Sequence, residues 1–342
     1  MEILIIKLGA MGDVLRTTPL LTALKNKYAG CRITWLVDEA SLEALQGNPL
    51  IDSLLGLTAK NLAELEKQNF DLAVNLDKEK EALDAITRVR AQKKAGFGKL
   101  PGEILFALDA KSDYAYRLGI DDDLKFRKNR KTYQEISFEQ LGLVFKWEEY
   151  IFPLEESSIT DARNHLKAIG VNLDGKHRPI VGLNTGSGHR FAGKKLPIES
   201  YVDLAQKFYN QMKNPVLLLG GEDEVQRNKE IEKRAGHAAI HAGSHPIKRF
   251  AAIVRECDLV ISGDTIAMHV AIAMKVPVVA FFASTCAAEI ELYGRGKKVV
   301  SEISCAPCYL KDCPIDEQCM KDMKPDRLFE TAKEVLNEVS VR

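Results

Sequence analysis

Asp13 is a carboxylate whose position suits proton transfer. It follows a glycine loop, Gly9 to Gly12, that ends an apolar stretch at the start of the sequence. A carboxylate at such a turn can cap the helix that follows, or it can take a proton from a substrate hydroxyl if its side chain points into a cleft. The glycines are spaced G-x-x-G and lack the G-x-G pair of dinucleotide-binding loops, so the loop predicts a different ligand.

A second polar group consists of Asp264, Thr265 and His269. These residues begin a helix-length segment between two apolar runs, at 259–261 and 276–282, and the whole predicts a βαβ unit. Open α/β sheets bind ligands beyond the carboxyl ends of their strands, where N–H groups at a helix start hold anions. We therefore expect a ligand here, although helix capping by Asp264 or Thr265 and packing of His269 would also explain these residues.

A glycine-rich loop precedes Lys194. It opens with Thr185 to Ser187, and Gly188 to Lys194 matches the G-x-x-x-x-G-K pattern of nucleotide-binding P-loops. Lys195 cannot supply the hydroxyl that holds magnesium in a P-loop, however, and Pro197 predicts that the helix begins only after the two lysines. The hydroxyl and ammonium groups of the loop remain suited to a diphosphate without a metal.

An acidic run, Glu222 to Glu224, follows Gly220 and Gly221 at another predicted helix start. Carboxylates at a helix N-terminus interact favourably with the helix dipole. A carboxylate after a β-strand can alternatively bind the diol of a ribose, as in dinucleotide sites.

The composition limits the classes of partner. Lys+Arg and Asp+Glu are both 48, and a net charge of zero argues against a bulk nucleic-acid binder. No apolar run approaches the roughly 20 residues that cross a bilayer, and the sequence start lacks the features of a signal peptide. We expect a cytoplasmic protein without a transmembrane segment, at most peripheral on a membrane, with reduced cysteines.

Strand-like and helix-like segments alternate in two series. In the first, the predicted strands are 2–7, 32–37, 51–55 and 72–75, and the predicted helices are 14–28, 39–46, 59–68, 79–90 and 133–144. Residues 146–158 have no sustained period, and the alternation resumes with strands at 180–184, 216–219, 259–261 and 276–282 and helices at 159–169, 246–256 and 325–339. The sequence predicts an α/β fold of two doubly wound domains, 1–150 and 151–342, the second closed by the C-terminal helix.

Two further clusters have less specific patterns. Basic residues cluster at Arg88, Arg90, Lys93 and Lys94 and again between Lys125 and Lys131. These clusters predict either a solvated surface or a docking face for an anionic acceptor or lipid headgroup. Near the C-terminus, four cysteines are spaced C-x2-C-x4-C-x5-C, at Cys305, Cys308, Cys313 and Cys319. Four thiols could complete a zinc or iron–sulfur shell or lie in a reduced structural loop, since the spacing matches neither zinc knuckles nor ferredoxins.

Five motifs, in order, resemble those of glycosyltransferase family 9, the lipopolysaccharide heptosyltransferases. They are Gly9 to Pro19, Lys194 to Pro197, Gly220 to Glu224, Ser262 to His269 and the cysteine cluster. The resemblance implies a GT-B architecture, in which two Rossmann-like domains face each other across a cleft. It also implies that the first domain holds the acceptor and the second holds the nucleotide-sugar donor.

The resemblance implies roles for individual residues. Asp13 looks like the general base and Lys194 looks like the ligand of the donor phosphate. We expect the donor-binding residues to be Thr185, Gly186, Ser187, Glu224, Asp264, Thr265 and His269. We expect the acceptor-binding residues to be Gly12, Arg16, Arg88 and Arg90.

The implied reaction is an inverting, metal-independent transfer of heptose from ADP-L-glycero-D-manno-heptose to the inner core of lipopolysaccharide, with no cofactor. The acceptor would be a lipid-linked glycan at the cytoplasmic face of the inner membrane. Ile266, Ala283 and the pair Lys195-Leu196 depart from the family pattern near the donor sugar. Two alternatives therefore stay open: a nucleotide-sugar epimerase with a similar two-domain fold, and a nucleotide-sugar-binding protein that has lost transfer.

Overall fold

The computed structural model describes residues 1–173, 179–188 and 193–340, with the side chains of the last two omitted. Its contacts divide the chain into two domains. The first contains Met1–Pro153 and Ala288–Glu291, and the second contains Leu154–Ala287 and Leu292–Arg342. A short segment from late in the sequence thus belongs to the first domain.

The first domain is built on a six-stranded sheet with the order β3-β2-β1-β4-β5-β6. The strands are β1 (Glu2–Ile6), β2 (Arg32–Val37), β3 (Ser53–Gly56), β4 (Asn69–Asn75), β5 (Arg90–Leu100) and β6 (Ile104–Ala107). The helices are α1 (Met11–Thr17), α2 (Pro19–Lys27), α3 (Leu42–Leu45), α4 (Ala59–Leu65), α5 (Lys80–Arg88), α6 (Asp113–Arg117) and α7 (Tyr133–Gln140). All pairings are parallel except that of β5 with β6.

The second domain is built on a parallel six-stranded sheet with the order β12-β11-β10-β7-β8-β9. The strands are β7 (Val181–Asn184), β8 (Val216–Leu219), β9 (Ala239–His241), β10 (Leu259–Gly263), β11 (Val278–Phe282) and β12 (Gly296–Val300). The helices are α8 (Glu156–Ala168), α9 (Ile198–Met212), α10 (Val225–Ala235), α11 (Ile247–Arg255), α12 (Ile266–Ala273), α13 (Gln318–Lys321) and α14 (Pro325–Ser340).

Both sheets have the strand order of a Rossmann domain, 3-2-1-4-5-6 when numbered within each domain. In this order the chain reverses direction across the sheet between the first and fourth strands, and ligands bind beyond the carboxyl ends of the strands at that point. The switch point lies between β1 and β4 in the first domain and between β7 and β10 in the second. The loops after these strands carry Asp13, Thr185 and Asp264.

Strand β1 illustrates why these sheets are buried on both faces. Ile3 and Ile5 belong to one hydrophobic cluster of the first domain, whereas Leu4 and Ile6 belong to another. All four side chains are fully buried because alternate residues of a strand point to opposite faces of the sheet. The strand is thereby fixed in register, and so is the loop that follows it.

The structure corrects several predicted boundaries and adds four strands that the sequence pattern did not indicate. The predicted helix 79–90 ends at Arg88, and the polar segment that follows it forms β5. β6, β9 and β12 are the other additions. The predicted helix 14–28 begins earlier, at Met11, so Asp13 lies inside the first turn of α1. The sequence pair Thr18-Pro19 predicted that this helix restarts, and α2 does begin at Pro19.

Gly96 is a position where a side chain cannot be accommodated. Its φ is +90°, and an added Cβ would lie 1.9 Å from the carbonyl oxygen of Asn75. We expect Gly96→Ala to lower the free energy of unfolding by about 3 kcal/mol or more, because strain at positive φ and a steric clash with backbone add together. Urea unfolding followed by circular dichroism would measure this.

Gly102 is the control for this substitution. Its φ is +86°, but no atom lies within 4 Å of an added Cβ. Gly102→Ala should therefore cost only the backbone strain, about 1–2 kcal/mol. Equal losses for the two variants would show that the contact with Asn75 does not matter.

Candidate active site

In the first domain, the loop that leads to Asp13 is held by Asp77, which follows β4. The Oδ2 atom of Asp77 accepts hydrogen bonds from the backbone N–H groups of Leu8 (3.0 Å) and Gly9 (3.2 Å). The same oxygen lies 3.4 Å from the ammonium of Lys7, which is buried. The glycine loop is thus fixed by a carboxylate that follows the neighbouring strand.

Asp13 occupies the first turn of α1. Its Oδ2 atom accepts a hydrogen bond from the N–H of Ala10 at 3.3 Å, and its Oδ1 atom lies 2.9 Å from Nη2 of Arg16. The side chain retains 27% of its exposure. The carboxylate therefore supports the helix start and still reaches solvent, so the two roles that the sequence left open are compatible in this geometry.

Arg16 is a largely buried cation between two carboxylates. Besides Asp13, it contacts Glu289, whose Oε2 atom lies 3.6 Å from Nη1 of Arg16. The guanidinium carbon lies 4.0 Å from the centroid of the Tyr133 ring. Burial opposes its charge, but Asp13 and Glu289 outweigh this effect and raise the pKa of Arg16. Arg16 was predicted to bind the acceptor, and the structure shows it engaged within the protein.

Two lysines close to this cluster were not singled out by the sequence pattern. Burial works against the charge of Lys7, yet Asp13, Tyr133 and Asp77 raise its pKa. At Lys78 the effects that disfavour the charged form prevail: partial burial and the nearby charge of Lys125 lower its pKa to about 8. Both lysines adjoin Asp77, so cations accompany the carboxylates at this edge of the sheet.

Arg88 and Arg90 lie at the other edge of the same sheet. Arg90 begins β5 and pairs with Asn69 at the start of β4, whereas Asn75 at the end of β4 pairs with Ile6 of β1. Arg88 makes an ion pair with Glu66 at 3.5 Å. The structure therefore does not bring these two arginines together with Gly12, Asp13 and Arg16, and their predicted acceptor role lacks geometric support.

In the second domain, the loop after β7 is anchored by buried polar groups. The N–H of Thr185 donates to the carbonyl of Leu219 at 3.1 Å, and its hydroxyl donates to the side chain of Asn228. The side-chain amide of Asn184 donates to the Gly186 carbonyl (2.8 Å) and to the Thr265 hydroxyl (3.1 Å). Thr185 is fully buried, so its hydroxyl stabilises the loop. Ser187 is half-buried next to it, and residues 189–192 of the same loop lie outside the described part of the chain.

Gly186 and Glu224, two predicted donor ligands, lie against each other. A Cβ added to Gly186 would come within 2.5–2.9 Å of the Glu224 carboxylate. One oxygen of that carboxylate accepts a hydrogen bond from the N–H of Gly221 at 3.0 Å. Glycine at 186 therefore allows the Glu224 carboxylate to rest on the loop after β7.

Lys194, Asp264 and His269 form a polar group at the switch point of the second sheet. Lys194 Nζ lies 3.5 Å from Asp264 Oδ2, and His269 Nε2 lies 3.9 Å from Asp264 Oδ1. An added Cβ on Gly263 would come within 2.4 Å of the Lys194 carbonyl, so the lysine backbone crosses directly over β10. Thr265 caps α12 by accepting a hydrogen bond from Ala267 N–H at 3.2 Å. Asp264 therefore pairs with Lys194, while Thr265 has the capping role.

The four cysteines of the cluster are not arranged as a metal-binding group in the described part of the chain. Within the ranges described above, no three His, Cys, Asp or Glu side chains converge as a metal-binding group. Cys305 is exposed, Cys319 is buried, and the Sγ atom of Cys313 accepts a hydrogen bond from Glu317 N–H at 3.2 Å. The predicted zinc or iron–sulfur site thus has no support in the geometry.

No described helix has the length and apolar character required to span a bilayer.

Comparison with known proteins identifies relatives of this chain. A family model described as glycosyltransferase family 9 (heptosyltransferase) matches residues 59–318. Lipooligosaccharide heptosyltransferase 2 of Campylobacter jejuni is 29% identical over 166 residues, which are 46% of this chain and 51% of that protein. The alignment thus spans about half the length of that curated relative.

Two solved structures have a similar fold. A family 9 glycosyltransferase from Veillonella parvula gives a TM-score of 0.75 at 20% identity, covering 98% of this chain and 97% of that one. The ADP-heptose lipopolysaccharide heptosyltransferase II of E. coli gives a TM-score of 0.69 at 15% identity, covering 99% of this chain and all of that one. The predicted α/β fold of the GT-B class, with two Rossmann-like domains, is confirmed.

Because the family model matches most of its length, the chain belongs to glycosyltransferase family 9. This is the family that the motifs predicted.

Proposed function

We propose that this chain transfers heptose from ADP-L-glycero-D-manno-heptose to an inner-core sugar of lipopolysaccharide, with inversion and without a metal. The observation that carries the proposal is a carboxylate at one switch point, Asp13, and a lysine at the other, Lys194, in a chain of this family. The relatives named above support the sugar, since both the C. jejuni and the E. coli proteins are heptosyltransferases and the latter is described with ADP-heptose.

Asp13 would act as the general base. In an inverting displacement, the acceptor oxygen bonds to the anomeric carbon while the bond from that carbon to the diphosphate oxygen breaks. Asp13 takes the proton of the attacking hydroxyl, and the electron pair of the broken bond stays on the diphosphate. Its partial exposure and its place beyond the carboxyl end of β1 suit this role.

The second domain would stabilise the leaving diphosphate. Lys194 supplies a positive charge, and the backbone N–H groups of the loop after β7 and of the start of α12 supply hydrogen-bond donors. Asp264, whose Oδ2 atom lies 3.5 Å from Lys194 Nζ, would position the lysine beside the phosphate. Glu224 would accept hydrogen bonds from the ribose, and His269 would lie near the phosphate.

The acceptor would be a lipid-linked glycan presented at the cytoplasmic face of the inner membrane. Lys78, which follows Asp77 in the sequence, and Lys125, whose charge lowers the pKa of Lys78, would attract its anionic groups. Gly12 is buried in the first turn of α1, and its acceptor role stays a prediction. Arg88 and Arg90 are not part of this proposal.

Calorimetric binding of a donor panel tests the proposal most directly. ADP-heptose should bind. UDP- and GDP-linked sugars should bind at least 10-fold more weakly, because the site would recognise the nucleobase as well as the diphosphate. Transfer to a heptose-deficient lipopolysaccharide core should then give a product whose anomeric configuration, measured by NMR, is opposite to that of the donor.

Other outcomes would change the assignment. Binding of a different nucleotide sugar, followed by its transfer, would replace the donor and retain the reaction type. Binding without transfer to any core acceptor would favour a nucleotide-sugar-binding protein.

A further inference from the structure

We propose that Glu289 is a positioning residue that sets the proton affinity of Asp13 through Arg16. The inference rests on the proposed role of Asp13 as general base and adds a residue that no motif contains. Glu289 lies in the segment 288–291, which packs in the first domain although it follows a strand of the second.

The contacts place one cation between two anions. Arg16 Nη2 lies 2.9 Å from Asp13, and Arg16 Nη1 lies 3.6 Å from Glu289. The side chains of Arg16 and Glu289 retain only 15% and 16% of their exposure, so solvent screens their interaction weakly. The two carboxylates therefore share the charge of a single guanidinium.

The guanidinium packs against an aromatic ring as well as lying between the two carboxylates. Its plane packs near the Tyr133 ring, 4.0 Å from the centroid, and its buried Nε atom has no hydrogen-bond partner among the described residues. The cation is thus held by packing, and its effect on Asp13 depends on how much of its charge Glu289 neutralises. The other ionisable groups facing this cluster are Lys7, Asp77, Lys78, Tyr133 and Tyr150.

The consequence for Asp13 has a definite sign. A base paired with an uncompensated arginine binds its proton weakly, because the cation stabilises the carboxylate form. The negative charge of Glu289 offsets that stabilisation and keeps Asp13 basic enough to accept a proton from a hydroxyl. Neutralising Glu289 should therefore lower the pKa of Asp13.

Carbon-13 NMR titration of the aspartate carboxyl carbons tests this without any substrate. The Asp13 signal is assigned by its loss in Asp13→Asn. In Glu289→Gln the pKa of Asp13 should fall by about one unit, and in Glu289→Asp, which lengthens the contact, it should fall by less. Glu66→Gln is the matched control, since Glu66 makes a 3.5 Å contact with Arg88 in the same domain, at the other edge of the sheet.

The pH profile of transfer provides a second readout. In Glu289→Gln the acidic limb of kcat/KM should move to lower pH by about one unit, and the plateau should fall about two- to tenfold because the base is weaker. If the ion pair only anchors residues 288–291, Glu289→Gln would lower the melting temperature and leave the acidic limb of the pH profile in place.

The outcomes separate this inference from the proposed function. An unchanged Asp13 titration in folded Glu289→Gln overturns the inference, and so does an unchanged titration in Glu289→Asp if the glutamine variant fails to fold. Absence of sugar transfer by the wild-type protein would count against the proposed function alone, because the NMR titration does not depend on it.

Discussion

Asp13→Asn is expected to lower kcat for sugar transfer by about 10²- to 10⁴-fold, which is the usual contribution of a general base. The substitution keeps the size of the side chain and an oxygen that can accept the Ala10 hydrogen bond. It removes the group that takes a proton from the acceptor, together with the negative charge opposite Arg16. Donor binding should be unchanged, because the proposed donor ligands lie in the other domain.

The measurement combines initial rates of transfer with calorimetric donor binding and a thermal melt. Asp38→Asn is the control, since Asp38 also supports a helical turn after a strand, its side chain accepting a hydrogen bond from Ala40 N–H at 2.9 Å. That variant should transfer at the wild-type rate. Wild-type transfer by Asp13→Asn would show that the carboxylate has only the structural role.

Lys194→Ala is expected to weaken donor binding by about 10- to 100-fold and to lower kcat as well. A charge-assisted interaction with phosphate contributes about 1.5–3 kcal/mol, and the diphosphate gains further charge as the sugar leaves. The loss in kcat/KM should therefore exceed the loss in donor affinity. Calorimetry with ADP and with the intact donor, next to steady-state kinetics, separates the two effects.

Lys207→Ala is the matched control for this experiment. Lys207 lies in the same domain and makes a 3.5 Å contact with Asp203, the same distance as that between Lys194 and Asp264. Loss of an ion pair by itself should leave donor affinity unchanged. Equal affinities of Lys194→Ala and wild type for ADP would exclude the lysine as a phosphate ligand.

Much of the site could be predicted because its residues follow strands directly in the sequence. Asp13, Thr185 and Asp264 each come after a short apolar run, and such runs predict buried parallel strands. In parallel sheets the ends of neighbouring strands meet at one edge. The contact of Lys194 with Asp264 joins two of these loops and follows from this topology.

The remaining parts depend on tertiary contacts that no local pattern contains. β5 has polar residues along its exposed first half, so Arg90, Lys93 and Lys94 gave the pattern of a basic surface. Arg90 begins this strand at the amino edge of the sheet, and the acceptor role of Arg88 and Arg90 stays a prediction. Lys7, Lys78 and Glu289 contribute to the Asp13 cluster only through packing, and an isolated charged residue carries no signal of its partners.

The placement of residues 288–291 affects the design of chimeras in which the second domain of this protein is exchanged. Glu289 is encoded with the second domain but contacts Arg16 of the first. A chimera that exchanges everything after residue 153, made to alter donor choice, would also replace the residue opposite Arg16. We therefore expect such chimeras to change the pH optimum of transfer together with the sugar, unless residues 288–291 are retained from the original parent.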